Sequence, residues 1–344
     1  MDRQASRPKA TLDEMRAILK NVPGADEDSA AAAAQREALL TKPAGALGRL
    51  EELVAWLARW QGRYPPRLDR PRVSVFAGNH GVTARGVSAF PADVTQQMVR
   101  NFIAGGAAIN QLCKAVDADL RVYEMALDKP TRDFTEAPAL SEDECAHAMA
   151  YGMMAVEPGI DLLCLGEMGI GNTTAAAAIC HALFGGEASD WTGPGTGLSG
   201  SALGRKAAIV AEGVARHRAA MADGFDVLRC VGGHELAAIA GAVLAARMAR
   251  IPVLLDGYAT TAAAAVVHGM APAALDHCCV AHCSAEPGHR RLLARLERAP
   301  LLDLGMRLGE ASGAALAVGI LRAALACHTG MATFAEAGVS EKST

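Results

Sequence analysis

Short apolar segments alternate with alanine-rich helical stretches along most of the chain from Val73 onward. Each apolar segment has the length of a buried strand and ends in a polar or glycine-rich turn. Strands and helices in alternation are typical of right-handed crossover units, which build a mostly parallel sheet with helices on both faces. The pattern therefore predicts an α/β fold whose strands contain VSVF, LRVYEMAL, LLCL, PVLL and CCVA.

The segment before the first predicted strand, residues 11–62, has the spacing of helices instead. Thr11 is a suitable N-cap for a first helix, and an alanine run near Ser29 predicts a second. A third is indicated by apolar side chains at helical spacing before Pro65-Pro66, which are Leu47, Leu50, Val54 and Leu57.

One stretch, Asp161–Ala178, combines a buried strand, a glycine turn and the start of a helix. The turn is predicted to run through Gly166, Gly169 and Gly171, and residues of capping type follow, beginning with Asn172. Such a helix start holds anions with its free amide groups. Glu167 places an acid in the same turn, which indicates a role beyond simple phosphate binding.

Further polar turns follow the other predicted strands, and parallel strands bring their carboxyl ends to one edge of the sheet. The segment Gly193–Leu198, with Gly195, Thr196 and Gly197, is a second glycine-rich loop, and Lys206 follows in a helix. The loop is suited to holding a phosphate with its amide groups, although an ordinary surface loop has the same composition. Similarly, His80 and its neighbours in AGNHG (77–81) either contribute to a site or only stabilise a tight turn.

Glu310 lies among small and apolar residues just before a long apolar helix. Desolvation would raise the pKa of this carboxyl, as a general base that works near neutral pH requires. Equally, an acid at this position could simply complement the helix dipole. Glu336 is a second candidate base.

Composition narrows the class of protein. The chain has 344 residues, 51% hydrophobic and 20% charged, with a net charge near -4. It is therefore expected to be globular and to act on small molecules, without nucleic-acid or membrane partners. The polar N-terminal residues and the reduced character of nine irregularly spaced cysteines favour a cytoplasmic location.

Common cofactor templates do not fit. A dinucleotide fingerprint would need a glycine where Thr174 stands, and no Gly-Lys-Ser/Thr of a phosphate-binding P-loop occurs. The His and Cys residues between His277 and Cys283 lie in one predicted strand that points them to opposite faces. We therefore expect neither a metal nor a cofactor.

Eight motifs, in order along the chain, are together similar to those of the nicotinate-nucleotide:dimethylbenzimidazole phosphoribosyltransferase family. They span about residues 30–340 and are AGNHGV (77–82), GVSAFP (86–91), GEMGIGNTT (166–174), GPGTGL (193–198), VGGHELAAIAGA (231–242), VLLDG (253–257), MRLGEASGA (306–314) and MATFAEAGVS (331–340).

The resemblance implies a Rossmann-like sheet formed by residues 67–309, with the active site at the strand carboxyl ends. It also implies a smaller helical domain, from residues 1–66 and about 310–344, and a homodimer. The implied reaction moves the 5-phosphoribosyl group of nicotinate mononucleotide to 5,6-dimethylbenzimidazole, giving α-ribazole 5′-phosphate and nicotinate in cobalamin nucleotide-loop assembly.

The resemblance further assigns roles by motif. Glu310 is implied as the catalytic base. Glu167 and Gly169 are implied to contact the nucleotide, and Glu167 is also implied as a second catalytic residue. The remaining implied contacts comprise an acceptor slot of Ser88, Phe90, Gln96 and Leu308, and phosphate or ribose contacts from Gly195, Thr196, Gly197, Lys206, Asp256 and Ser284.

Two other classes of function keep the same architecture. One is a nucleotide-binding protein without turnover, against which the presence of both Glu167 and Glu310 counts. The other is an NAD-dependent oxidoreductase, against which the broken fingerprint at Thr174 counts.

Overall fold

A computed structural model describes residues 10–340. The described chain begins with three helices: α1 (Leu12–Lys20), α2 (Glu27–Glu37) and α3 (Arg49–Gln61). Thr11 caps α1 as predicted, because its hydroxyl accepts a hydrogen bond from the Glu14 amide while the Glu14 carboxylate accepts one from the Thr11 amide. The helical interpretation of this segment is confirmed.

The five predicted strands form one parallel sheet, which confirms the predicted fold class. They are β1 (Pro71–Ala77), β2 (Asp119–Glu124), β3 (Leu162–Met168), β4 (Val253–Leu255) and β5 (Cys278–Val280). Their order is β2-β1-β3-β4-β5, and all four pairings are parallel. The direction of winding reverses between β1 and β3, the position at which such sheets bind ligands beyond their carboxyl ends.

Helices cover both faces of the sheet. One face packs against a core that includes Phe76 and Leu165, and the other against a core that includes Val75 and Cys164. The remaining helices are α4 (Val94–Ala104), α5 (Ala108–Ala115), α6 (Glu142–Met153), α7 (Asn172–Phe184), α8 (Ala188–Trp191), α9 (Gly200–His217), α10 (Gly224–Val231), α11 (His234–Met248), α12 (Tyr258–Met270), α13 (Pro287–Leu296), α14 (Ser312–Gly330) and α15 (Phe334–Ala337).

The helices nearest the two ends of the described chain lie on different faces. Helix α1 packs against α6 and α11, whereas α3 packs against α2 and α14. Helix α14 in turn contacts β1, β3 and β4 as well as α5. The division into a small helical domain and a larger sheet domain stays a prediction.

Helix α14 is long and apolar enough to cross a membrane by length and composition alone. Its packing against three strands and two other helices identifies it instead as a core helix. The same packing places its first turn at the carboxyl edge of the sheet.

The glycine turn after β3 begins later than the sequence indicated. Gly166 and Glu167 are both part of β3, paired with β1, and the turn starts beyond Met168. Gly166 is required for close packing, because a Cβ there would lie 2.1 Å from the Ala311 amide nitrogen. The prediction that Gly166 serves as a turn residue was wrong.

Candidate active site

A cavity of about 440 Å³ opens at the carboxyl end of the sheet. Its walls come from the ends of β3 and β4, the starts of α4, α7 and α12, and the loops before α9, α13 and α14. The predicted residues that line it are Phe90, Glu167, Gly169, Gly195, Thr196, Ser284, Leu308 and Glu310.

Glu167 and Glu310 meet at the floor of the cavity. The Glu310 amide donates a hydrogen bond to the Glu167 carbonyl oxygen at 3.0 Å, which ties the loop before α14 to the end of β3. Gly309 must be small here, because a Cβ would lie 2.7 Å from Glu167 Oε1. The two acids that the sequence singled out are therefore joined through their backbones in the fold.

Glu310 is held in an unusual backbone conformation. Its φ is +62° and that of Ala311 is +64°, two consecutive non-glycine residues in the left-handed region. Such conformations cost of order 1–3 kcal/mol each and cluster at functional sites. Glu310 is 3% exposed, and its Oε2 has no hydrogen-bond partner within residues 10–340.

Burial changes the protonation of both acids. Desolvation raises the pKa of Glu310, opposed only by a hydrogen bond from the Ile109 amide. Desolvation also raises the pKa of Glu167 well above its ordinary value, and the nearby carboxylates Asp256, Glu235 and Glu310 add to that effect. Buried carboxyl groups with raised pKa values are candidates for a general acid or base.

Asp256 lies behind the cavity wall and does not line it. Its Oδ1 accepts hydrogen bonds from the Gly313 and Ala314 amides at 2.7 and 3.0 Å, so it binds the N-terminus of α14. Burial raises its pKa to about 7, despite these amides. The direct phosphate or ribose contact implied for Asp256 stays a prediction.

Lys206 is buried, not a solvated helix residue, and its ammonium group lies beneath the second glycine-rich loop. Its Nζ donates to Thr173 Oγ1 at 2.8 Å and to the Gly193 carbonyl oxygen at 3.1 Å. Burial lowers its pKa to about 8, with Glu286 acting in the opposite direction. At neutral pH this side chain carries a cation where an anionic ligand could meet the loop.

The loop itself needs its glycines. Gly195 and Gly197 have φ of +54° and +120°. The Gly195 amide donates to Glu286 Oε1 at 2.9 Å, and its carbonyl oxygen accepts from Arg307 at 2.8 Å. Gly197 itself does not line the cavity.

Ser88 and Thr196 join this loop to the segment that carries Phe90. Their hydroxyl oxygens are 2.9 Å apart, and Thr196 Oγ1 also accepts from the Ala89 amide. Phe90 and Leu308 are 53% and 55% exposed at the rim, an apolar pair facing the cavity mouth. Both side chains offer apolar surface to a flat ligand at the cavity mouth.

Besides Ser88, Gly197, Lys206 and Asp256, two more predicted residues do not line the cavity. Gln96 is exposed on α4 and its side-chain oxygen accepts from Arg100 at 3.1 Å, so its implied acceptor contact stays a prediction. Glu336 is exposed and caps α15 by accepting from the Thr333 amide at 2.8 Å. The Thr333 amide also lowers the pKa of Glu336, which is the opposite of what a base at neutral pH needs.

The capping prediction after the first glycine turn was wrong in detail. Helix α7 begins at Asn172 as expected, but Gly171 is the N-cap and makes no side-chain capping bond. Asn172 instead donates its side-chain amide to Glu167 Oε2. This amide therefore orients the Glu167 carboxyl from the start of α7.

Sequence reasoning missed several residues that line the cavity. Glu286 is 4% exposed, burial raises its pKa, and its Oε2 has no partner in the described part of the chain. Its position after Ser284 and before the α13 proline was the available signal. The other lining residues that were not predicted as site residues are Val94, Met98, Met168, Ile170, Asn172, Thr173, Gly257, Tyr258, Ala259, His282, Arg307 and Gly309.

No group of three or more potential metal ligands occurs within residues 10–340. His277 is fully buried, where desolvation lowers its pKa to about 3, and its Nε2 contacts the Val243 carbonyl oxygen at 3.0 Å. It acts as a core residue.

Comparisons with known proteins agree with this geometry. A family profile described as phosphoribosyltransferase matches residues 22–339. A nicotinate-nucleotide–dimethylbenzimidazole phosphoribosyltransferase of Sinorhizobium medicae is 60% identical over 96% of this chain and 98% of its own length. The protein of the same name from Brucella abortus is 59% identical over 96% of this chain and 97% of its own.

Solved structures give the same result. The crystal structure of CobT from Thermus thermophilus superimposes with a TM-score of 0.85 and 43% sequence identity. The superposition covers 92% of this chain and 100% of the chain in that crystal structure.

Proposed function

The chain belongs to the nicotinate-nucleotide–dimethylbenzimidazole phosphoribosyltransferase family, and from that premise we propose the reaction that its cavity performs. The 5-phosphoribosyl group of nicotinate mononucleotide moves to 5,6-dimethylbenzimidazole, giving α-ribazole 5′-phosphate and nicotinate. The observation that carries this proposal is Glu310, a buried carboxyl of raised pKa with an unpartnered oxygen at an apolar cavity.

The bonds exchanged define what the site must do. A ring nitrogen of the acceptor attacks C1′ of the ribose, and the electron pair of the C1′–nicotinate bond returns to the pyridinium nitrogen. The second acceptor nitrogen then loses its proton. Attack from the face opposite nicotinate inverts C1′, which converts a β-nucleotide into an α-riboside in one displacement.

Glu310 is suited to take that proton. Its raised pKa makes the ionised form a stronger base than an ordinary carboxylate. The short tether to Glu167 fixes its backbone, and the left-handed conformation at Glu310 and Ala311 holds the carboxyl at the cavity.

Glu167 has a complementary part. Desolvation and the neighbouring carboxylates raise the pKa of Glu167 well above its ordinary value, which favours its protonated form. A neutral carboxyl beside the base avoids repulsion between two carboxylates, and it can hydrogen-bond the ribose or the base. Asn172 keeps that carboxyl in place.

The phosphate end lies at Lys206 and the loop containing Gly195, Thr196 and Gly197. Lys206 supplies a cation that is buried and already oriented by Thr173 and Gly193. An ammonium group in this setting forms stronger hydrogen bonds to phosphate than one exposed to water. Ser284 and Arg307 contribute further donors to the same wall.

The acceptor occupies the apolar mouth. Phe90 and Leu308 flank it, with Met98 and Val94 behind them on α4. Stacking on Phe90 supplies affinity for any planar base of similar size. Only a base whose ring N–H lies within reach of Glu310 can lose its proton and react. This slot is therefore more selective for ring geometry than for methyl substituents.

We further propose that the protein works as a cytoplasmic homodimer. The dimer rests on the resemblance to the family, because single exposed apolar side chains such as Leu39, Ile103 and Met154 do not by themselves mark an interface. Sedimentation of the purified protein tests the dimer.

The experiment that tests the reaction is incubation with nicotinate mononucleotide and dimethylbenzimidazole, followed by chromatography for ribazole phosphate. We expect product that depends on both substrates. Binding of the nucleotide without product would favour a non-catalytic protein, and reduction of NAD with a hydroxylated substrate would favour an oxidoreductase.

A further inference from the structure

Two motifs carry no part of the reaction described above: the turn after β1, which contains His80, and the start of α11, which contains Glu235. These residues lie 155 positions apart in the chain, yet His80 Nε2 is 2.6 Å from Glu235 Oε1. His80 is 1% exposed and Glu235 is fully buried. Since a carboxylate only accepts, His80 donates through Nε2.

The pair is enclosed by glycines. A Cβ on Gly78 would lie 2.3 Å from Glu235 Oε2, and a Cβ on Gly233 would lie 2.4 Å from His80 Cε1. A Cβ on Gly171 would lie 2.9 Å from Thr83 Cγ2 and 3.1 Å from His80 Cβ. Three segments of the chain thus lack side chains where the pair sits, and one of them is the turn that follows Glu167.

Two hydrogen bonds from other segments also hold the turn after β3, besides those that it makes with the start of α7. Gly78 donates its amide to the Met168 carbonyl oxygen at 3.0 Å, and the Ile170 amide donates to Thr95 Oγ1 at 3.0 Å. His80 packs against Gly171. Gly171 immediately precedes Asn172, whose side chain binds Glu167. A shift of the His80 ring would therefore move the groups that orient Glu167.

We propose that the His80–Glu235 pair is a positioning device for the catalytic pocket: it fixes the turn Gly169–Gly171, and through it the carboxyl of Glu167. Neither residue lines the cavity. The inference rests on the proposed transfer reaction, in which Glu167 takes part. A shift of about 1 Å at a reacting group can lower a rate by up to about 10².

A merely structural His–Glu pair would look similar in the fold, and the chain provides a control of that kind. His328 Nδ1 is 2.5 Å from Glu37 Oε2, and His328 is 1% exposed. This pair joins α14 to α2 and its residues do not line the cavity. Removing either pair should lower stability, but only the His80–Glu235 pair should change turnover.

The test is a double-mutant cycle with Glu167. We expect Glu235→Ala to lower kcat about tenfold with the KM for nicotinate mononucleotide within about twofold. In a Glu167→Gln background, the same change should alter kcat less than about twofold, because the residue through which the pair acts is already impaired. Glu235→Gln, which can still accept from His80, should restore most of the activity.

Three results would overturn the inference. They are equal losses of kcat from Glu235→Ala in both backgrounds, a wild-type kcat for Glu167→Gln, or an equal loss from the control Glu37→Ala. Thermal melting confirms that each variant is folded at the assay temperature, and His80→Gln replaces Glu235→Ala if the latter is not. Absence of ribazole phosphate with the wild type would instead contradict the proposed reaction itself.

Discussion

The two ends of the parallel sheet each carry a cavity, and the larger one is not at the end where the chemistry is placed. The cavity at the amino ends of the strands has a volume of about 570 Å³, against about 440 Å³ at the carboxyl ends. Its charged lining residues are Arg63, Arg67, Arg70, Arg250, Asp69, Glu157 and Asp161.

The two ends differ in how their surroundings shift the pKa values of their carboxyl groups. At the amino end, a hydrogen bond from Arg72 lowers the pKa of Glu157, and the Asp69 and Arg70 amides both donate to Asp161 Oδ2. At the carboxyl end, desolvation raises the pKa of Glu167 and Glu310. The functional site is therefore expected where the carboxyl groups are desolvated, whichever cavity is larger.

The largest effect that this comparison predicts is the loss of the base. Glu310→Gln keeps the shape of the side chain but cannot accept the acceptor proton, so kcat should fall about 10²-fold or more, with nucleotide affinity little changed. Glu157→Gln makes the same chemical change at the amino end and should leave kcat as it is. Steady-state kinetics decide; a Glu310→Gln enzyme with wild-type turnover would move the base to Glu167.

Loss of a buried cation comes next. Lys206→Ala removes a charge that is already oriented, so the affinity for nicotinate mononucleotide should fall about 10- to 100-fold, the value of a charged hydrogen bond. Arg67→Ala removes an exposed cation at the other end and is the matched control. Calorimetric titration with each ligand separates the outcomes. Equal nucleotide affinity in the two variants would show that Lys206 does not bind the nucleotide phosphate.

A smaller effect is expected at the apolar mouth. Phe90→Ala removes a stacking partner, which should weaken dimethylbenzimidazole binding by several-fold to about tenfold and nucleotide binding by less. Tyr151→Ala, an exposed aromatic of α6 that does not line the cavity, should change neither. Titration of both ligands checks this. Parallel losses for the two ligands in Phe90→Ala would place the ring outside the slot.

The smallest effect concerns stability. Asp256 at the carboxyl end and Glu157 at the amino end should change the pH dependence of stability in opposite directions. Asp256 titrates at about 7 in the fold against 3.8 unfolded, so the folded state binds the extra proton and stability falls as pH rises between these values. Asp256→Asn keeps an acceptor for Gly313 and Ala314 and should raise Tm at pH 8 by about 2 °C or more.

The lowered pKa of Glu157 acts in the other direction: its contribution is present above 4.5 and is lost as pH falls below that value. Glu157→Gln should therefore leave the change in Tm between pH 5 and 8 as in the wild type. Melting curves across that range provide the measurement. A Tm of Asp256→Asn at pH 8 no higher than wild type would mean that Asp256 is not destabilised by burial in the way its pKa indicates.

The fold and its motifs were readable from the sequence because periodicity reports directly on strands and helices. The end of β3, the turn after it and the helix α7 all lie within the stretch that the glycines marked. The side of each element that a residue faces was harder to read. Gln96, for example, is exposed on α4 and is not among the residues that line the cavity, and a step of one residue along a helix turns a side chain by about 100°.

The rest of the site depends on contacts between distant segments. Nothing local to Asp256 shows that it caps α14, and nothing local to Gly166 shows that the Ala311 amide lies against it. Glu286 escaped notice for the same reason, because only the folded loop brings Gly195 to its carboxylate. The sequence showed where glycines occur, but not which distant atoms pack against them and leave no room for a side chain.

The packing of α14 has a consequence for the order in which the protein matures during synthesis. Every strand of the described sheet precedes Glu310 in the chain, so the sheet leaves the ribosome before the base does. Until α14 docks on β1, β3 and β4, Asp256 lacks the Gly313 and Ala314 amides, and the carboxyl end of the sheet lacks Glu310. Completion of the cavity at the carboxyl end of the sheet therefore waits for this helix and the loop before it, which are among the last parts of the described chain to be synthesised.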